Sequence, residues 1–225
     1  MVFPYKLPRS IDFKEEVFNM ARYRGPRVRL QRRLRTTLPG LTRKSAENRP
    51  YPPGQHGASA GRGGRRSDYG VRLDEKQKLR FNYGVSERKL RSYFKRAKNM
   101  KGDTGHNLLT LLEQRLDNVV FRAGFAPTIP AARQLVLHGH ILVDGKRVNI
   151  ASYEMRTGQK VSVREKSRKL PIVESTMASP SLAFPSYISV EPEFFSATFT
   201  AEPAREDVPL EIQENLVVEH YSRVA

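Results

Sequence analysis

Between Glu113 and Arg164 the sequence permits few folds. Leu112, Leu116, Val119, Val120 and Ala123 recur at helical spacing and predict a buried stripe, with Gly124 ending the helix. Arg115, Asn118 and Arg122 share another face of the same helix. Thr128 stands where an N-cap belongs, ahead of a second helix that turns Ala132, Leu135 and Val136 inward and stops at Gly139. Asp144-Gly145 is a strong two-residue hairpin signal, since both central positions of that turn need positive φ. Closing the hairpin pairs Val143 with Lys146 and Ile141 with Val148, which places the two valines and the isoleucine on one face. Two helices and a small sheet then share one core. Arg115, Arg122, Arg133, Lys146 and Arg147 are expected outside it, on a basic surface.

Charge separates this region from the end of the chain. The 225 residues hold 40 Lys+Arg against 23 Asp+Glu, a formal net charge of +17. Residues 171–225 carry nine acidic residues against Arg205 and Arg223, a net of −7 that leaves +24 on the first 170. A body so cationic fits a polyanionic partner, nucleic acid being the commonest. The sequence has no cysteine, which excludes disulfides and thiolate zinc sites. No apolar run approaches the roughly 20 residues of a membrane span.

Residues 1–19 are net neutral and read as a leader extension, with Met20 the more natural start. Residues 20–73 form a basic arm and a Pro/Gly-rich loop. Arginines at 22, 24, 27, 29, 32 and 33, with Tyr23 among them, suit phosphate forks and base stacking better than a merely solvated face. The loop carries G-R-G-G-R-R at 61–66 but no following Gly-Lys-Ser/Thr, so it is no phosphate-binding P-loop. Residues 74–112 form a helical body. One helix begins near Asp74, another is capped by Ser86 and turns Leu90, Tyr93, Phe94 and Ala97 inward, and a third starts at Thr104 and runs into the module. The module occupies 113–173. Residues 174–225 form an acidic segment expected to pack back on the helical body. The fold class is thus α+β: a mostly helical body, an inserted module of two helices and a hairpin, and an extended basic arm.

Catalytic and metal patterns are weak. His138 and His140 flank Gly139 without a third ligand nearby, so no metal site is expected, and no cofactor. Arg115-Leu116-Asp117 resembles the tripeptide around the catalytic aspartate of RNA pseudouridine synthases. Here it lies inside the module's first helix, and Asp117 reads better as a helix-surface residue paired with a neighbouring arginine. The chain is not expected to be an enzyme.

The residues also carry a family likeness. The Arg115-to-Val163 pattern resembles the small RNA-binding domain named after ribosomal protein four of the small subunit, a domain that several RNA enzymes share. M-A-R-Y-R-G-P at 20–26, P-P-G-Q-H-G at 52–57, S-D-Y-G at 67–70, E-K-Q-K-L-R at 75–80 and L-V-V-E-H-Y-S at 216–222 resemble the small-subunit ribosomal protein four family itself. L-R-F-N-Y-G at 79–84 and T-I-P-A-A-R-Q-L-V at 128–136 look most like cyanobacterial and plastid members.

The resemblance implies a primary binder of small-subunit (16S-type) ribosomal RNA that nucleates assembly of the subunit body and contributes to translational accuracy. Implied partners are that RNA and neighbouring small-subunit proteins, number five by contact and number twelve functionally. The place of action is the cytoplasm, or the plastid stroma if the chain is plastid-encoded. The residues expected on RNA are Arg22, Arg24, Arg27, Arg29, Arg32 and Arg33 in the arm, and Arg115, Arg122, Arg133, Gln134, His138, Lys146 and Arg147 in the module.

Overall fold

Why the module's first helix cannot be continuous is visible in its backbone. A computed structural model describes residue 23 and residues 25–59 and 67–224. In it the apolar stripe is split between α4 (Thr104–Glu113) and α5 (Leu116–Arg122). Arg115, between them, is extended at φ −66° and ψ 137°. The first amides of α5 are satisfied from elsewhere: Leu116 N–H donates to the Tyr153 carbonyl at 2.8 Å and Asp117 N–H to the Ala151 carbonyl at 3.1 Å. Met155 N–H returns a bond to the Gln114 carbonyl at 2.8 Å. The 151–155 loop thus cuts the helix, a long-range effect that the unbroken apolar spacing conceals.

Local signals elsewhere are followed closely. Thr128 caps α6 (Ile129–Leu137), its side chain accepting from Ala131 N–H. Gly124 and Gly139 take positive φ after the two helices, as do Asp144 and Gly145 in the hairpin. Strands β1 (Ile141–Val143) and β2 (Lys146–Arg147) pair Val143 with Lys146 as expected. Strand β3 (Lys160–Val163) lies on the other side of β1. Beyond it, α7 (Glu165–Arg168) and α8 (Pro171–Ala178) lead to β4 (Ile188–Glu191) and β5 (Ser196–Phe199). These last two strands join the same antiparallel sheet, whose order is β2-β1-β3-β5-β4. The hairpin is therefore one edge of a five-stranded sheet, completed by the acidic segment.

The body holds α2 (Asp68–Asn82) and α3 (Glu87–Lys98). Helix α2 starts earlier than the Asp74 signal suggested: Ser67 caps it, accepting from Gly70 N–H. Ser86 caps α3, and Leu90, Tyr93, Phe94 and Ala97 are all buried. The terminal helix α9 (Glu214–Val224) packs on α2 and α4 with Val217 and Tyr221 buried. Tyr221 stacks on Phe94 at 4.9 Å between centroids and donates to Glu87 at 3.0 Å.

Part of the basic arm is a helix too, α1 (Arg27–Leu34), which buries Leu30 and Leu34 and leaves Arg27, Arg29 and Arg33 in solvent. The turn after it wedges between body and module. Gly40 N–H donates to the Asn82 side chain at 2.9 Å, and its carbonyl accepts from Ile129 N–H at 2.8 Å. A Cβ on Gly40 would stand 2.5 Å from Ile129 and 2.8 Å from the Asn82 carbonyl, so only glycine fits the approach. The leader, the Met20 start, Arg22, Arg24 and the 61–66 glycine-arginine run lie outside the described residues.

Candidate nucleic-acid interface

The arginines of the module fall into two unlike sets. Arg115, Arg122 and Arg133 are 3%, 4% and 6% exposed, and Asp117 is fully buried. This corrects the expectation that these arginines line a basic surface and that Asp117 lies on a helix exterior. The pairing expected of Asp117 does occur. Its carboxylate accepts from Arg115 Nε at 3.0 Å and Nη2 at 2.7 Å, and from Arg133 Nε at 3.1 Å and Nη2 at 2.7 Å. Arg115 also donates to the Tyr93 hydroxyl at 2.9 Å, and Arg133 to the Gly84 carbonyl at 2.8 Å.

A second carboxylate, on the other side of the Arg115 break, does the same. Glu113, 1% exposed, accepts from the Tyr83, Asn118 and Tyr187 side chains at 2.5 to 2.6 Å and pairs with Arg122 Nε at 3.3 Å. Arg122 also donates to the Asp207 carbonyl. Buried charges are tolerated only when paired and fully hydrogen-bonded. Here three cations and two carboxylates join body, module and acidic segment in one network, and no buried side-chain polar atom among the described residues lacks a partner.

The electrostatics follow. Burial would pull the Arg115 guanidinium's pKa down, but Asp117 and Tyr93 together outweigh that and hold it raised. Arg122 is raised against its burial by Glu113. Burial, reinforced by Glu113, pushes the Tyr83 and Tyr187 phenols well above their ordinary value. These groups are locked in one protonation state across the neutral range. Their donors are turned to partners within the chain.

The exposed set is arranged differently. Gln134, His138, Lys146 and Arg147 are all in solvent. The Gly139 turn positions Arg147: a Cβ there would sit 2.0 Å from Arg147 Nε, so the guanidinium lies against bare backbone. That brings Arg147 near His140, whose ring is 6.1 Å from that of His138. Burial, and then the neighbouring His138 and Arg164 charges, lower the His140 pKa, and its Nδ1 is engaged with Ser167 at 2.8 Å. Among the described residues no third ligand joins the pair.

Helix α3 adds Arg88, Lys89, Arg91, Lys95, Arg96 and Lys98, all exposed. It carries more exposed cations than any other described helix, and the residues named from sequence omitted them. The signal was available: the same period that turns Leu90, Tyr93, Phe94 and Ala97 inward turns these outward. Arg96 meets Glu154 in a bidentate pair, which links the cationic face of α3 to the module's loop. In the arm, Arg27 and Arg29 are exposed, Arg33 likewise, while Arg32 is half-buried and donates to the Tyr51 and Pro52 carbonyls at 3.0 and 3.5 Å. A groove of about 480 Å³ runs between arm, body and module, and Arg27, Phe81, Arg133 and Gln134 all line it.

Comparison with known proteins finds two adjoining family models along the chain. Residues 22–113 match the model of the ribosomal protein S4/S9 N-terminal domain, and residues 114–161 match the S4 domain. The small ribosomal subunit protein uS4 of Parasynechococcus marenigrum is 55% identical over 205 residues, covering 91% of this chain and 99% of that protein. The chain belongs to the uS4 family. Other family members are similarly near: that of Nostoc punctiforme is 53% identical over 92% of this chain and its own whole length, and that of Methylobacillus flagellatus 53% over 90% and 98%. The family boundary at 113/114 falls at the break between α4 and α5.

Proposed function

We propose that this chain is a structural constituent of the small ribosomal subunit, a primary binder of 16S-type ribosomal RNA that nucleates assembly of the subunit body and contributes to translational accuracy. Family membership over nine-tenths of the chain is the observation that carries this reading. Its work is binding rather than catalysis, and its place of action is the ribosome. Small-subunit proteins five and twelve are the proposed neighbours, the first by contact and the second functionally.

The physical mechanism is clamping of the RNA backbone. Exposed Arg27, Arg29 and Arg33 on α1, the outward cations of α3, and Gln134, His138, Lys146 and Arg147 on the module are the proposed contacts. Arg22 and Arg24 extend the arm's contribution. Neutralised phosphates release counterions, so affinity depends steeply on salt, while specificity comes from the shape of a folded junction. Arg115, Arg122 and Arg133 serve by holding body, module and acidic segment together.

Titrating the full chain against a small-subunit ribosomal RNA transcript tests this. With six or more phosphate contacts, affinity falls about a thousandfold or more between about 50 and 200 mM salt. A binding constant flat over that range, or absence of the protein from sedimented small subunits, refutes it.

A further inference from the structure

Resting on that reading, we propose that the groove between arm, body and module is a pocket for one unpaired RNA nucleotide, its base on Phe81 and its phosphates on Arg27 and Arg80. The groove's chemistry is divided in the way a nucleotide is divided. Its floor is apolar, built by Phe81, Val85 and Leu41, and its rim carries Arg27, Arg80 and the Gln134 amide. At about 480 Å³ it lies within the roughly 300–1,000 Å³ of small-ligand sites. A surface that met only duplex backbone would need the rim without the aromatic floor.

The rings are placed for stacking. Phe81 is half-buried, with the Arg80 guanidinium 5.3 Å from its centroid. Tyr23 stands against Phe81 edge-on, centroids 5.7 Å apart and planes at 70°, and is 43% exposed. A base stacking on Phe81 would take the place of the Arg80 guanidinium over that ring, freeing it for a phosphate, with the Tyr23 ring alongside. Gln134 offers a donor and an acceptor on one exposed amide, able to read a base edge. Arg27 is held in place by its bond to the Leu41 carbonyl at 3.3 Å. The wall is stiff as well: Arg133 is pinned by Asp117 and the Gly84 carbonyl, so the buried network shapes the pocket without filling it. Single-stranded sites in RNA recognition combine these parts, a cationic track and an aromatic platform.

The test uses the full chain and a small-subunit ribosomal RNA transcript at fixed salt, with affinity measured by filter binding and contacts mapped by ultraviolet crosslinking read by mass spectrometry. Phe81→Leu keeps an apolar side chain and should weaken binding about tenfold, whereas Phe81→Tyr, which keeps the ring, should recover most of that loss. Gln134→Ala, on an exposed site, should weaken it severalfold, and a single nucleotide should crosslink to Phe81 or Tyr23. If Phe81→Leu and Gln134→Ala bind normally while Lys146→Ala/Arg147→Ala binds weakly, the pocket is wrong and the ribosomal reading stands. A crosslink in the groove to a protein segment rather than a nucleotide also overturns the pocket. If the unaltered chain fails to bind the transcript, both fall.

Discussion

Arg115 and Arg147 belong to the same module and carry the same charge, yet the first is locked between Asp117 and Tyr93 while the second lies in solvent against the Gly139 turn. The contrast extends to whole sets: Arg115, Arg122 and Arg133 are spent on carboxylates of their own chain, and the α3 and hairpin cations are not buried by it. Net charge counts both sets alike. Function separates them, because a buried, paired guanidinium fixes geometry whereas an exposed one is available to a polyanion.

The comparison can be broken most easily at Asp117. Asp117→Ala leaves two buried guanidiniums facing no counter-charge and should cost about 3–5 kcal/mol in urea unfolding. A loss below about 1 kcal/mol would falsify the structural assignment of that network. Glu113→Gln comes next, at about 2 kcal/mol, since three side-chain donors and Arg122 lose a charged acceptor. This region also predicts a pH dependence. The folded Tyr83 and Tyr187 hold their protons above the pH at which the unfolded phenols ionise, near 10. Their contribution is therefore full below about pH 10 and is lost as pH rises beyond it, so unfolding in urea should become easier across the alkaline limb.

Removing the exposed set should have the opposite profile. Replacing Arg88, Lys89, Arg91 and Lys95 together by Gln should shift stability by only about 0.5 kcal/mol per site or less. Affinity for the rRNA transcript should fall, and the salt slope should become shallower by about one for each phosphate left without its cation. A fall in stability with an unaltered slope would mean that α3 faces the protein's own partners and not RNA. The smallest effect belongs to the pair that straddles the two sets. Glu154→Gln, which frees half-exposed Arg96, should cost under about 1 kcal/mol and fade further in salt.

Much of the local structure was legible from the residues themselves. The Thr128 and Ser86 caps, the Gly124 and Gly139 stops and the Asp144-Gly145 turn each depend on a few neighbouring atoms, and all are observed. The inward faces of α3 and α6 followed from a period of 3.6. What stayed hidden depends on partners distant in sequence. Glu113 draws Arg122 inward only because Tyr187 and Asp207 arrive from the acidic segment, and nothing near Arg122 announces them. The break at Arg115 needs the carbonyls of 151 and 153, and β4 and β5 are too short to declare which sheet they join. Exposure of the candidate site was therefore harder to read than its composition.

The position of α9 has a consequence for how the protein is made. Its Val217 and Tyr221 cover α2 and α4, and β5 lies next to β3. A polypeptide emerges from its amino end, so these early elements stand uncovered until α9 has been synthesised. Closure of this core waits for α9 to emerge, and a stall before that point leaves a strongly cationic intermediate with its apolar flank open.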